Sequence, residues 1–106
     1  MTPQSIVLRI DPRDRQEIER ILAPVLTHCQ AKLRLFGSRA RGDARRTSDI
    51  DLACNAERPI SPAELSVARE ALEESRIPFR IDLVDYGSAQ PLLREAIDRE
   101  GIAWPA

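Results

Sequence analysis

Two aspartates stand two residues apart in Ser48-Asp49-Ile50-Asp51-Leu52, and their types and spacing point to metal chemistry. On an extended strand, residues two apart share a face at roughly 7 Å separation. Carboxylates so placed repel, and burying either one unpaired is costly. A divalent cation removes that penalty. Hard oxygen ligands suit Mg²⁺, which is usually held by one or two carboxylates together with substrate phosphates. Two such ions about 4 Å apart can clamp the attacking and leaving oxygens of an in-line displacement at phosphorus. Asp49 and Asp51 are therefore candidate ligands, and a third carboxylate would complete the cage. Asp82 is the candidate, because it falls on the polar parity of Phe79-Arg80-Ile81-Asp82-Leu83-Val84. If the two strands are neighbours, Asp82 faces the pair, as a ligand and as acceptor of the nucleophile's proton. Asp85 has the apolar parity and sits at the strand end, so it ranks second.

Eleven residues upstream of Asp49, Gly37-Ser38 follows a short alternating run. Glycine lets the backbone approach a phosphate, and successive N–H groups there bind an anion. The Ser38 hydroxyl adds a donor. Arg39 and Arg41 supply positive charge for a triphosphate. Taken singly, each feature has a plainer reading: a solvated strand face, a turn, a hydrated arginine cluster. Jointly they set a phosphate-shaped turn ahead of a carboxylate pair at fixed spacing.

The elements that must position these groups are legible in outline. Residues 5–10 alternate as a short strand. Asp11-Pro12 reads as an N-cap and first helical position. Ile18, Ile21, Leu22, Val25, Leu26 and Cys29 continue at helical spacing, with Pro24 expected to kink or split the helix. Residues 32–36 read as a strand, 37–47 as a loop or short helical turn, and 48–54 as a strand. Ser61-Pro62-Ala63-Glu64 is a capping-box signature opening a helix with Leu65, Ala68 and Leu72 on one face. Phe79–Val84 is another strand. Ser88 is expected to begin the last helix, Gly101 to stop it, and Ile102-Ala103-Trp104 to add an edge strand. The sum is one small α/β (α+β) domain over residues 1–106, a mixed sheet flanked by helices.

Bulk composition narrows the function classes. The 106 residues are 42% hydrophobic and 31% charged, which favours a folded globular domain over disorder. With 16 basic and 17 acidic side chains the net charge is −1, so bulk charge gives no signal for nucleic-acid or membrane binding. No long apolar span or leader-like N-terminus is visible, and a cytoplasmic location is expected. Cys29 and Cys54 are too few for a disulfide framework and read as reduced, buried thiols. Cys29 continues an apolar stripe, whereas His28 beside it reads as exposed. Trp104 is expected to plug a core edge.

The run Gly37-Ser38, ten residues, then Asp49-x-Asp51 resembles the signature of the polymerase-β-like nucleotidyltransferase superfamily. The fuller Gly37-Ser38-Arg39-Ala40-Arg41-Gly42 through Ser48-Asp49-Ile50-Asp51-Leu52 is similar to its minimal nucleotidyltransferase (MNT) branch, and Arg80–Val84 resembles the third-carboxylate strand. The resemblance implies that Gly37 and Ser38 bind the triphosphate of ATP. It implies that Asp49, Asp51 and Asp82 ligate Mg²⁺, two ions in all, and carry catalysis, with Arg39 and Arg41 near the phosphates. Larger members append acceptor-binding domains. Little sequence follows the last helix here, so the acceptor is expected to be held by another chain. Members of this size resemble the antitoxins of HEPN–MNT toxin–antitoxin pairs, which add AMP to a tyrosine of the HEPN ribonuclease toxin. The leading expectation is therefore a protein adenylyltransferase antitoxin, forming a hetero-oligomer with its toxin. The alternatives are a non-catalytic binding antitoxin and a small-molecule, aminoglycoside-type nucleotidyltransferase.

Overall fold

In the computed structural model, which describes residues 9–104, the Asp11 carboxylate caps the first helix by accepting from the Arg13 N–H at 2.8 Å. Helix α1 runs Pro12–His28 and buries Ile18, Leu22 and Val25. Pro24 lies inside it, and the helix is not split. Pro24 is on the exposed side, where water can satisfy the backbone carbonyl one turn earlier that loses its donor. The strand expected over residues 5–10 lies mostly outside the described residues. Arg9 and Ile10 belong to a turn, with Ile10 tucked into the core.

Strand β1 is Ala31–Phe36, and a single helical turn, α2, follows at Ser38–Arg41. Strand β2 is Ile50–Ala56. Helix α3, Pro62–Glu73, opens with the full capping box: Glu64 N–H donates to Ser61 Oγ at 3.1 Å, and Ser61 N–H to Glu64 Oε1 at 3.3 Å. Ser61→Ala removes one arm and should cost about 1 kcal/mol. In a domain of this size that lowers the melting temperature by about 4–8 °C, readable by calorimetry. Strand β3 is Ile81–Asp85, and a 3₁₀ turn follows at Tyr86–Ser88.

The last long helix, α4, is Pro91–Glu100, so it starts three residues later than Ser88. The Ser88 hydroxyl instead donates to the Asp85 carboxylate at 3.0 Å within the 3₁₀ turn. Proline at position 91 favours extended backbone at Gln90 and suits the first helical position, which fixes the start there. Strand β4, Ile102–Ala103, pairs antiparallel with β1 as an edge strand. Trp104 packs on the main core and donates its indole N–H to Glu19 at 3.0 Å.

The sheet order is β3-β2-β1-β4, with β1 antiparallel to β2 and β2 parallel to β3. One face carries Leu33, Leu35, Ile50, Leu52, Cys54 and Leu83 against α1 and α3. The other face carries Phe36, Ala53 and Val84 against Ile97 and Leu93 of α4. Period-two alternation places Asp51 and Asp82 on this second face. Both cysteines are free and buried. Among the described residues, no helix is long and apolar enough to cross a membrane.

Candidate active site

Gly37 ends β1 with φ of +77°, a conformation that L side chains rarely adopt. Its carbonyl accepts from the N–H groups of Ala40 and Arg41, both at 3.0 Å, which closes the α2 turn. The first N–H groups of such a turn have no acceptor within it and are free to meet an anion. Gly37 is also where the chain passes the acidic pair. A Cβ built there would overlap Oδ2 of Asp51 and stand 3.1 Å from its Cγ. The Gly37 turn and the Asp51 carboxylate are thus packed directly together.

The register across the central strands settles the conditional part of the sequence reading. Asp51 of β2 is opposite Asp82 of β3, and Phe36 of β1 is opposite Asp51 on the other side. Asp49 lies one residue before β2, exposed, and Asp82 is exposed on its strand. Burial pushes the half-buried Asp51 carboxyl up to about 6, with further upward contributions from Asp82 and then Asp49. The three carboxylates therefore share one field. Their ligand oxygens do not all lie within 4.8 Å of one another.

Such an all-oxygen donor set with unrelieved negative charge fits Mg²⁺. Asp85, the second-ranked carboxylate, is occupied differently: it accepts from Gly87 N–H at 3.1 Å and caps the 3₁₀ turn.

The arginines are engaged in ways their sequence positions did not announce. Arg39 donates from Nη2 to the Ser48 carbonyl at 2.7 Å and from Nε to the carbonyls of Ser48 and Asp49 at 3.1 and 3.3 Å. Its guanidinium lies over the Phe79 ring, 4.6 Å from the centroid. Burial lowers its affinity for its proton, opposed by Asp14, Asp49 and Asp51. Arg39 thus ties α2 to the backbone that enters β2 and to the approach to β3. Ser48 closes the same loop, its hydroxyl accepting from Arg45 N–H at 2.7 Å.

Arg41 forks to Glu100 at 2.7 Å and Asp43 at 3.2 Å, and it remains about half exposed. Glu100 and Phe79 are site neighbours that the sequence reading missed. Phe79 reads there as an ordinary apolar strand position, and Glu100 as the end of a distant helix.

Arg39→Ala should lower catalytic turnover about 10- to 100-fold through misplaced Asp49. Arg39→Lys should fail to restore it, since an ammonium neither forks onto two carbonyls nor stacks flat on Phe79. Steady-state kinetics at saturating Mg²⁺ and ATP check this. An unchanged kcat in both variants would leave Arg39 a packing residue only.

Two clefts border the site. One of about 510 Å³ opens beside Asp82, among Arg69, Glu73, Phe79 and Arg80. A smaller one of about 250 Å³ lies against Arg39, with Arg9, Gly42, Arg45 and Arg46 on its walls. Cys54 is in the core, its thiol pushed up to about 11 by burial and then by Asp85, as befits packing rather than attack.

A glycine turn beside a carboxylate pair on a mixed sheet defines a nucleotidyltransferase-type domain. Residues 27–103 match the family described as Polymerase beta, Nucleotidyltransferase, and the chain belongs to that family. The "Probable protein adenylyltransferase MntA" of Haemophilus influenzae is 40% identical over 62 residues, which is 58% of this chain and 54% of that protein. The matched region thus spans about half the length of that relative. Among solved structures, a provisionally titled minimal nucleotidyltransferase is 34% identical with a TM-score of 0.61, covering 87% of this chain and 91% of that one. A toxin–antitoxin solved with AMP-PNP is 27% identical with a TM-score of 0.64, covering 83% and 73%.

Proposed function

We propose that this chain is the antitoxin of a toxin–antitoxin pair and transfers AMP from ATP to a tyrosine hydroxyl of a HEPN-type ribonuclease toxin. Family membership, the adenylyltransferase relative and the AMP-PNP-bound toxin–antitoxin neighbour support this reading. The observation that carries it is the β2–β3 register that sets Asp51 beside Asp82, with the Gly37 turn packed on Asp51.

In this reading the N–H groups at Gly37 and Ser38 bind the triphosphate, with the Ser38 hydroxyl as a further donor. Asp49, Asp51 and Asp82 hold Mg²⁺, which when bound supplies Lewis-acid charge to the reacting phosphate. Arg39 holds the backbone of Ser48 and Asp49 in place. Arg41, half exposed, is within the same turn and adds positive charge near the phosphates. The acceptor enters by the cleft beside Asp82. Its hydroxyl oxygen bonds to the α-phosphorus, the bond from that phosphorus to the bridging oxygen breaks, and pyrophosphate leaves. Asp82 takes the hydroxyl proton.

Intact-mass spectrometry of a HEPN toxin, incubated with this chain, Mg²⁺ and ATP, tests the proposal. The toxin should gain one or more AMP masses with the parent chain and none with Asp49→Ala/Asp51→Ala. A toxin that binds tightly yet gains no mass with either chain would make this a stoichiometric antitoxin and overturn the transferase reading.

A further inference from the structure

On the face of the sheet covered by α1 and α3, opposite that of Asp51 and Asp82, the end of α1 meets the start of α3 at His28, Cys29 and Glu64. Their ligand atoms lie within 4.8 Å of one another. His28 Nδ1 is 2.9 Å from Glu64 Oε2, and Cys29 Sγ is 3.6 Å from the same oxygen and 3.8 Å from His28 Nδ1. A tetrahedral zinc ion, with bonds of about 2.3 Å to sulfur and about 2.0–2.1 Å to nitrogen and oxygen, requires edges of about 3.5 Å from sulfur and about 3.3 Å between nitrogen and oxygen. The triangle already present differs from that by only a few tenths of an ångström.

We propose that His28 Nδ1, Cys29 Sγ and Glu64 Oε2 form a zinc-class metal site, separate from the Mg²⁺-type carboxylate site. The donor set is one thiolate, one imidazole and one carboxylate, which selects a borderline-soft cation over Mg²⁺. Each ligand is held before a metal arrives. Cys29 is the C-cap of α1, its N–H bonded to Val25 and its carbonyl accepting from Glu57 and Arg58 N–H groups. Glu64 has its other oxygen engaged by the capping bond from Ser61, which orients Oε2 toward the cluster. His28, with its side chain 69% exposed, forms the outer wall, so the fourth position opens to water.

A metal bound there takes the place of the thiol proton. Bound there, the ion joins α1 to α3 through residues 35 positions apart and stabilises the fold by mass action.

The test is cobalt titration of chelator-treated full-length chain, read by sulfur-to-cobalt charge-transfer absorption, alongside melting temperature with and without Zn²⁺. One equivalent should develop the band, and Zn²⁺ should abolish it and raise the melting temperature. Cys29→Ser should lose the band. His28→Gln, at an exposed position, and Glu64→Gln, which keeps the capping acceptor, should each weaken binding at least about tenfold. Asp49→Ala/Asp51→Ala should retain the band. Absence of the band in the parent chain, or undiminished affinity in His28→Gln, would reduce the cluster to a surface ion pair over a core thiol.

Discussion

Asp51→Asn should reduce AMP transfer by at least about a thousandfold while raising the melting temperature of the metal-free protein. The two effects share one cause. Burial and the neighbouring Asp82 and Asp49 hold the Asp51 carboxyl up to about 6. An unfolded aspartate releases its proton near 3.9. Between those values the folded chain binds more protons than the unfolded one, so stability falls as pH rises from about 4 to 6 and stays lower above. The amide has the same shape and no charge, so the variant lacks this loss.

A shift from 3.8 to about 6 corresponds to at most about 3 kcal/mol. Solvent reaching the half-buried group reduces this to about 1–2 kcal/mol. Calorimetry at pH 8 should show the variant more stable than the parent, with the difference gone near pH 4. Mg²⁺ should stabilise the parent and leave the variant unmoved, because an amide cannot balance the ion's charge. A variant that melts below its parent at pH 8 would contradict the picture of unrelieved repulsion.

Gly37→Ala has the second largest expected effect. The new methyl overlaps Asp51 Oδ2 and is held by backbone at φ +77°, so the carboxylate is the group that must move. Its backbone, at φ +77° and ψ −158°, lies in a region nearly confined to glycine and costs about 1–3 kcal/mol for alanine, and the displaced carboxylate loses its place opposite Asp82. Transfer should fall at least about a hundredfold, with weaker Mg²⁺ dependence. Gly42→Ala is the internal control. Its backbone is left-handed, at φ +85° and ψ 9°, and nothing lies within 4 Å of a Cβ there, so it carries a milder strain of about 1–2 kcal/mol without the collision. It should lose less stability and keep most of its activity. Equal loss of turnover in the two variants would show that strain alone, and not the Asp51 contact, governs the site.

What the sequence made legible was mostly local. The Asp11 cap and the Ser61–Glu64 box are fixed by side chains within three residues, so spacing alone was enough. The sequence reading puts Asp49 and Asp51 on one strand face by local pleating; Asp51 is on β2, and Asp49 lies one residue before it. The adjacency of Asp82 could be put only as a condition, because the parallel pairing of β2 with β3 joins residues about thirty apart across α3. The same limit hid Arg39 over Phe79, Arg41 on Glu100, and the meeting of Cys29 with Glu64.

Exposure let Pro24 remain inside an unsplit α1. The expected start of the last helix at Ser88 failed on a competing local effect, because Pro91 fixes it three residues later.

The central claim is that three carboxylates and a glycine turn transfer a nucleotide rather than a phosphate. The most direct measurement uses ATP labelled either in its α-phosphate or in its γ-phosphate, with the HEPN toxin and Mg²⁺. The account predicts that α-label becomes protein-bound while γ-label is recovered as pyrophosphate, and that both signals vanish in Asp49→Ala/Asp51→Ala. Protein-bound γ-label, or transfer undiminished in the double variant, would contradict it.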